Sequence, residues 1–298
     1  MGRFKRSSEN GQNDIRGHFM KKLLIANRGE IAVRLIRAGK ELGIKTVAIF
    51  AKEDEFAVQR FKADESYLVG EGKAPIAAYL DIDDIIRIAK ETGADAIHPG
   101  YGFLSENDEF AAAVEAAGIK FVGPRVEHLK MFGDKITAKQ AAIKAGVPTV
   151  PGTDHPVESI EEALAFGAEH GYPLFVKSAA GGGGRGMRVV EHDDELREAF
   201  ERAASEAQQS FGKAEIYLEK YLQDPKHVEI QILADEQGEV MHLFERDSSI
   251  QRRHQKIIEF APAVSVSVDM RRRIQDAAVK LMQSVDYQSA GTVEFLVD

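Results

Sequence analysis

The most evident candidate chemistry lies in VKSAAGGGGRGMRVV (176–190), where five glycines stand among cationic side chains. Backbone without Cβ atoms can approach a ligand closely and present N–H groups to phosphate oxygens. Lys177, upstream of the glycines, would add a point charge to the same oxygens. The pattern predicts a phosphate-binding loop. Its alternative is the commoner fate of a glycine run, a surface segment without a ligand.

Better-known phosphate motifs do not fit this glycine segment. The spacing G-x-G-x-x-G occurs at 181–186, but a dinucleotide fold needs a helix after the glycines, and MRVV (187–190) is typical of a strand. None of the three Gly-Lys pairs in the sequence precedes Ser or Thr, as a P-loop requires. A protein kinase would place its lysine after the loop, whereas Lys177 precedes it. The segment is therefore predicted to be the tip of a β-hairpin.

Two further segments hold charges that need partners. RRHQK (252–256) gathers positive charge with no acid before Glu259, and an anion would relieve the repulsion. The alternative for this segment is a solvated basic strand edge. Glu294 stands among apolar neighbours in TVEFLV, where a carboxylate needs a partner and Mg2+ is a natural one. His227 and Glu229 would share a strand face, but without further ligands they are not predicted to hold a metal.

The elements that must position these groups follow two patterns, of which the first covers residues 21–133. Short apolar runs such as KKLLIA (21–26) and KTVAIF (45–50) alternate there with helical stripes, the first of which stops at Gly43. A β-α-β alternation of this kind gives parallel strands. It predicts an α/β class with a Rossmann-like, doubly wound N-terminal domain.

The second pattern covers residues 134–298 and is richer in strands. Ser159 and Glu162 have the spacing of a capping box at the start of a helix. Strands are predicted on both sides of the glycine segment, and HVEIQILADEQGEVMHLFERD (227–247) predicts a further hairpin. The remaining predicted elements are helices at about 194–210 and 267–285 and a strand at 291–298.

Composition excludes several classes of function. The 298 residues are 44% hydrophobic and 29% charged, as in globular proteins, and a net charge of -9 argues against nucleic-acid binding. The sequence has no cysteine, which excludes disulfides and thiolate chemistry and favours a cytoplasmic location. No apolar run approaches the roughly 20 residues that span a bilayer, so no membrane partner is predicted. The polar segment 1–20 is predicted to be a disordered leader.

Several long motifs, taken in order, resemble one enzyme family. They are KLLIANRGEIAVRLIRAGKELGIKTVAIF, HPGYGFLSEN, MFGDK, the glycine segment, EKYL, KHVEIQI and ERDSSIQRRHQKIIEFAP. Together they resemble the biotin carboxylase component of the biotin-dependent carboxylases, over residues 21–298. Within that family, FKADESYLVGEGKAPIAAYLDIDDII and EFAPA resemble the pyruvate carboxylases more than the acetyl-CoA carboxylase subunits.

The resemblance implies a fold and a reaction. The implied fold is an N-terminal Rossmann-like (pre-ATP-grasp) domain followed by an ATP-grasp fold, with a glycine-rich lid at about 150–222. In the implied reaction ATP phosphorylates bicarbonate, carboxyphosphate forms, and its CO2 passes to N1 of biotin on a separate carrier domain. The implied ligands are ATP, Mg2+ (or Mn2+), bicarbonate and the biotinylated carrier, and a homo-oligomer is implied for full-length proteins.

The resemblance also implies roles for individual residues. Lys135 and Lys177 match the lysines that contact the ATP phosphates, and Glu294 matches the first magnesium glutamate. Tyr101 and Gly102 match residues beside the biotin ring. The other matches to the nucleotide site are Gly183, Gly184, Met187, Glu219, Lys220, Leu222, His227 and His254, and the matches to the catalytic group are Gln251, His254 and Lys256.

Structural alternatives accompany several of these matches. A lone lysine such as Lys135 is more often a solvated residue at a helix start, and apolar residues such as Met187 and Leu222 are as often core. His98 is expected to pack rather than to bind a ligand. Ser105 is predicted to cap the next helix.

The sequence ends at Asp298 directly after a predicted strand, whereas the family's second magnesium glutamate, an asparagine and an arginine lie further on. The interpretation is a truncated part of a carboxylase with an incomplete ATP-grasp fold, expected to lack carboxylase turnover alone. Three alternatives stay open. They are a subunit of acetyl-CoA or propionyl-CoA carboxylase, a carbamoyl-phosphate-type synthetase, and a non-catalytic nucleotide-binding fragment.

Overall fold

The computed structural model describes residues 20–178, 187–211, 216–252 and 255–298. The chain divides into two compact units, one ending at Val122 and the other beginning at Gly123. Helices accompany a parallel sheet in the first unit and antiparallel sheets in the second, which confirms the predicted α/β class. No helix in the described ranges is both long enough and apolar enough to cross a membrane.

The first unit is a parallel sheet accompanied by helices. Its strands are β1 (Lys22–Ile25), β2 (Lys45–Phe50), β3 (Glu65–Leu68), β4 (Ala96–His98) and β5 (Lys120–Phe121). Its helices are α1 (Gly29–Glu41), α2 (Val58–Lys62), α3 (Pro75–Tyr79), α4 (Ile82–Thr92) and α5 (Asp108–Ala116), with a 3-10 turn at Lys52–Asp54. The strand order is β3-β2-β1-β4-β5, so the chain adds strands on one side of β1 up to β3 and on its other side from β4 onward. The point between β1 and β4, where this order reverses, is where doubly wound sheets bind ligands.

Local signals set the ends of these helices, with one correction. Gly93, with φ of 65°, ends α4 in the left-handed conformation that glycine tolerates best. The prediction that Ser105 caps α5 is wrong, because Asn107 is the capping residue and its Oδ1 accepts from the Phe110 N–H at 2.6 Å. Ser105 instead closes a turn by donating its backbone N–H to the Gly102 carbonyl at 3.0 Å.

The second unit contains two antiparallel sheets. Its helices are α6 (Val126–Gly133), α7 (Lys135–Lys144), α8 (Ile160–His170), α9 (Asp193–Phe211) and α10 (Val268–Ser284). The strands of the smaller sheet are β6 (Leu174–Ser178), β7 (Met187–Val190) and β8 (Ile216–Lys220), in the order β7-β6-β8. Those of the larger sheet are β9 (Lys226–Ala234), β10 (Val240–Arg252), β11 (Gln255–Phe260) and β12 (Ser289–Val297), in the order β11-β10-β9-β12.

Each sheet of the second unit buries one face against helices. Because successive side chains of a strand point to opposite faces, each buried face leaves a second face for other residues. The core beside the smaller sheet contains Leu174, Val176, Val190, Ile216 and Leu218 with Ala163, Leu196, Ala199 and Ala203. The core beside the larger sheet contains Val228, Ile230, Ile232 and Ala234 with Ile274, Ala278 and Met282. The opposite faces carry the candidate chemistry.

Candidate functional site

The glycine segment lies between two antiparallel strands, as the sequence predicted. β6 pairs with β7 from Leu174 opposite Val190 to Lys177 opposite Met187. Gly183 and Gly184 lie outside the described residues, and so does the side chain of Met187. β6 also pairs along its other edge with β8, the strand that carries Glu219.

The smaller sheet presents an ion pair on its partly exposed face. Leu174 and Val176 of β6 are fully buried, so the residues between and after them point to the other face. Glu219 of β8 stands opposite Phe175 in the strand register. On this face Lys177 Nζ donates a hydrogen bond to Glu219 Oε2, with side chains 27% and 35% exposed. A ligand can therefore reach both charges.

An aromatic ring lies beside this lysine and packs against a second ring. The Lys177 ammonium lies 5.1 Å from the centroid of the Phe175 ring, within the range in which a ring face attracts a cation. The Tyr221 ring meets Phe175 edge-on, with centroids 4.8 Å apart. The charged end of Lys177 is thus held by a carboxylate and a ring, beside an apolar surface of the kind that a nucleotide base stacks on.

The end of β8 and the two residues after it (219–222) resemble the family's hinge for the nucleotide base. The Lys220 N–H donates to the Pro151 carbonyl at 2.8 Å, and its Nζ donates to the Tyr172 carbonyl at 2.7 Å. The backbone N–H of Lys220 is therefore already used, and of its backbone groups the carbonyl is the one it can offer to a base. Leu222 is half-buried beyond the end of the strand.

Lys139 was not singled out by the sequence interpretation, yet it lies beside this ion pair. Its Nζ donates to the Gly152 carbonyl at 3.3 Å. Burial is the main cause that lowers the pKa of Lys139, while Glu219 acts to raise it and Lys177 acts to lower it. The available signal was its position on α7, one turn after Lys135. The side chain of Lys135 lies outside the described part of the structure.

The larger sheet presents a charged face opposite its core. Glu229 of β9 stands between Arg246 of β10 and Glu294 of β12 in the strand register. Two carboxylates directly opposite each other on neighbouring strands repel, so this arrangement requires a cation. Lys256 of β11 supplies it by donating hydrogen bonds to both Glu229 Oε2 and Glu294 Oε1.

Glu229 is the buried centre of this network, although the sequence interpretation gave it no role. Its side chain is 5% exposed, and its Oε1 accepts from Arg246 Nε at 2.6 Å. Burial acts to raise the pKa of Glu229, but the hydrogen bonds from Lys256 and Arg246 outweigh it and hold the pKa below its usual range. Burial acts to lower the pKa of Lys256, and the bonds to Glu229 and Glu294 outweigh it, so that pKa is raised. Both groups are therefore charged near neutrality.

Glu294 has apolar neighbours in the sequence, but its own side chain is exposed. β12 is an edge strand with alternating side chains, and Glu294 is 64% exposed on the same face as Leu296. Within the described ranges no three His, Cys, Asp or Glu side chains gather as a metal site would require. Glu294 can still offer Mg2+ a carboxylate oxygen, since this ion is commonly held by one or two carboxylates together with substrate phosphates.

Gln251 lies opposite Lys256 in the hairpin of β10 and β11. Its Nε2 donates to the Ser248 carbonyl at 3.1 Å, which leaves its side-chain oxygen directed elsewhere. His254, which sits between them in sequence, is outside the described residues. The structure therefore brings Gln251 and Lys256, two members of the predicted catalytic group, together at one sheet edge.

His227 lies on the charged face of the larger sheet, two residues before Glu229. Its backbone N–H donates to Ser249 Oγ at 3.0 Å, which fixes the start of β9 against β10. The predicted sharing of a face by His227 and Glu229 is confirmed. Since both Glu229 oxygens accept from cations, this carboxylate is not free to bind a metal.

In the first unit, Asn27 ties together the ends of β1 and β4. Asn27 is 2% exposed, and its Nδ2 donates to the carbonyls of Pro99 at 2.6 Å and Tyr101 at 2.9 Å. Gly100 permits this approach, because a Cβ there would lie 2.7 Å from Asn27 Nδ2. The sequence interpretation missed this role. The available signal was a polar residue directly after an apolar strand.

The loop fixed by Asn27 exposes the two residues matched to the biotin ring. Tyr101 is 62% exposed, and its hydroxyl donates to Glu30 Oε1, which raises the pKa of Tyr101. Gly102 adopts φ of +66°, where a side chain would be strained although space is open. His98 accepts from the Gly100 N–H at 3.0 Å, and burial lowers its pKa. His98 thus shapes the loop, as expected.

Comparisons with known proteins match both parts of the chain. The family model "Biotin carboxylase, N-terminal domain" matches residues 19–129, and "Carbamoyl-phosphate synthase L chain, ATP binding domain" matches residues 134–298. The chain is 58% identical over 278 residues to the pyruvate carboxylase of Bacillus subtilis, covering 93% of this chain and 24% of that protein. It is 53% identical over 279 residues to the mitochondrial pyruvate carboxylase of Homo sapiens, covering 94% and 24%.

A solved structure is similar over the same region. It is the biotin carboxylase domain dimer of Hydrogenobacter thermophilus 2-oxoglutarate carboxylase, in complex with MgADP, ADP and bicarbonate. The match has a TM-score of 0.79 and 47% identity, and it covers 94% of this chain and 61% of that chain. The chain thus spans about a quarter of the length of the two curated relatives.

Proposed function

Because the chain belongs to the biotin carboxylase family of ATP-grasp proteins, we propose that it serves the ATP- and bicarbonate-dependent carboxylation of biotin on a carrier domain. In this proposal the reaction is the first half-reaction of pyruvate carboxylase, since the pyruvate carboxylases of B. subtilis and H. sapiens are 58% and 53% identical to it. The observation that carries the proposal is the Lys177–Glu219 pair on the accessible face beside the glycine segment. A cation held at that place is suited to a nucleotide's phosphates.

Lys177 is proposed to bind the ATP phosphates together with Lys135 and the backbone of Gly183 and Gly184. An ammonium aimed at these oxygens steadies the charge that develops as the γ-phosphoryl group is transferred. When bound, Mg2+ supplies neutralisation of the phosphate charges, and Glu294 is the described residue that would hold it. The base is proposed to lie on the apolar surface near Lys177, against the hinge residues Glu219, Lys220 and Leu222, with Met187 and His227 completing the nucleotide site.

Lys256 is proposed to bind bicarbonate. Its ammonium has three N–H donors, of which two serve Glu229 and Glu294, so one remains for a bicarbonate oxygen. A bicarbonate oxygen forms a bond to the γ-phosphorus while the bond to ADP breaks, which gives carboxyphosphate. Gln251 and His254 are proposed to orient the anion with Lys256. Carboxyphosphate then breaks down to CO2 and phosphate, the phosphate takes the proton from N1 of biotin, and a bond forms between N1 and the CO2 carbon.

The partner of the first unit is proposed to be the biotin of a carrier domain. Tyr101 and Gly102 would face the biotin ring on a loop that Asn27 holds at the switch point of the parallel sheet. A homo-oligomer is also proposed, in line with the dimer formed by the Hydrogenobacter thermophilus domain.

Titration calorimetry with MgATP tests the nucleotide site. We expect the chain to bind MgATP and Lys177→Ala to bind at least about tenfold more weakly, because one charge-assisted contact is lost. Lys144→Ala, an exposed lysine at the end of α7, is the control and should bind like the wild type. Equal binding by Lys177→Ala and wild type, or no binding by the wild type, would contradict the proposal.

A further inference from the structure

Lys139 is a half-buried cation that the proposed reaction does not use. Its Nζ donates to the Gly152 carbonyl at 3.3 Å, and this is its one hydrogen bond within the described part of the chain. An ammonium carries three N–H donors and is costly to desolvate without acceptors. Lys139 therefore has donors to spare where water is partly excluded.

Gly152 brings Lys139 and Glu219 to the same point. Gly152 forms an isolated β-bridge with Glu219. A Cβ placed on Gly152 would lie 2.8 Å from Lys139 Nζ and 3.4 Å from Glu219 Cγ. The two side chains thus flank one glycine. In the described part of the structure the Glu219 carboxylate is paired with Lys177 and not with Lys139.

Nucleotide binding at this site would disrupt the ion pair between Lys177 and Glu219. Glu219 is 35% exposed, and Lys177 is its hydrogen-bonded partner. If phosphate oxygens take the Lys177 ammonium, the carboxylate is left partly desolvated and next to an anionic ligand. Both conditions are unfavourable for an unpaired carboxylate. A second cation within reach of Glu219 would pair with the carboxylate and offset this cost.

We infer that Lys139 is the replacement partner of Glu219, turning from the Gly152 carbonyl to the carboxylate when a nucleotide draws Lys177 away. Lys139 is then a positioning residue that acts on the nucleotide only through Glu219. The inference rests on the proposed function, because it requires that Lys177 binds phosphate. The partial burial that lowers the pKa of Lys139 fits a cation that gains from acquiring a carboxylate partner.

A double-mutant cycle on MgATP binding tests this inference. We expect Lys139→Met to raise the Kd for MgATP about tenfold, as the loss of one charge-assisted hydrogen bond does. In a Glu219→Gln background the same change should alter the Kd by no more than about twofold, since no carboxylate then needs a partner. Lys139→Arg should restore most of the affinity. Lys144→Met is the matched control on the same helix, and thermal unfolding checks that each variant is folded.

The outcomes separate this inference from the proposed function. Wild-type affinity in Lys139→Met, with Lys177→Ala impaired, would overturn the role of Lys139 alone. A full tenfold loss that persists in the Glu219→Gln background would also overturn it, because Lys139 would then act on the nucleotide directly. Absence of MgATP binding by the wild type would overturn both.

Discussion

Replacement of Glu229 by Gln should destabilise the larger sheet by about 2 kcal/mol. Removing one partner of a fully buried ion pair costs about 3–5 kcal/mol. Glu229 is 5% exposed, but Arg246 and Lys256 are 31% and 30% exposed, so water compensates part of that loss. Lys256 also keeps Glu294 as a partner. The screening by solvent and the remaining carboxylate bring the expected cost down to about 2 kcal/mol.

Urea unfolding, monitored by circular dichroism, gives the global free energy of unfolding. Amide hydrogen exchange of β9 shows whether the change lies in the larger sheet. The second readout is needed because two compact units need not unfold in one transition. Glu294→Gln is the matched control. It removes a carboxylate that is 64% exposed from the same lysine and should cost less than about 0.5 kcal/mol. The reasoning is refuted if Glu229→Gln costs no more than Glu294→Gln.

Three further predictions concern Glu229, Asn27 and Gly152. The difference in unfolding free energy between wild type and Glu229→Gln should be fully present above the usual pKa of a glutamate. It should vanish as pH falls through the lowered pKa of Glu229 in the folded state. Urea unfolding at a series of pH values measures this difference. Asn27→Ala should cost about 1–3 kcal/mol, because it leaves the Pro99 and Tyr101 carbonyls unpaired, and hydrogen exchange in the loop after β4 should rise. Gly152→Ala should cost about 1–3 kcal/mol in thermal unfolding, and Lys139→Ala should not rescue it, because the new Cβ would also lie 3.0 Å from the Leu218 carbonyl.

Local pattern was sufficient to predict the elements around the ion pair of the smaller sheet. The apolar runs on both sides of the glycine segment form the paired strands β6 and β7. Ser159 starts α8 by accepting from the Glu162 N–H at 3.2 Å, as its spacing to that residue predicted. These features depend on residues close together in sequence, so strand alternation and capping chemistry are enough to foresee them.

The contacts that build the sites could not be predicted in the same way, because they join distant parts of the chain. Asn27 holds carbonyls 72 and 74 residues further on, and no local pattern specifies that pairing. Glu229 meets Arg246 across two strands whose register shifts between His242 and Glu245. A single irregularity of this kind changes which side chains share a face, so strand boundaries alone do not identify the partners.

The side chain of Lys256 reaches across the charged face of the larger sheet at the proposed bicarbonate site. Lys256 belongs to β11, at the opposite edge of the sheet from β12, yet it bonds Glu294 on β12 as well as Glu229 on β9. Neighbouring strands lie about 4.8 Å apart, so these edges would be roughly 14 Å apart in a flat sheet. The side chains of Lys256 and Glu294 must therefore extend toward each other across β10 and β9. This extension also brings the Lys256 ammonium to Glu229 on β9, so one cation serves carboxylates on two neighbouring strands. Its remaining N–H donor then lies over the middle of the charged face, where the proposal places bicarbonate.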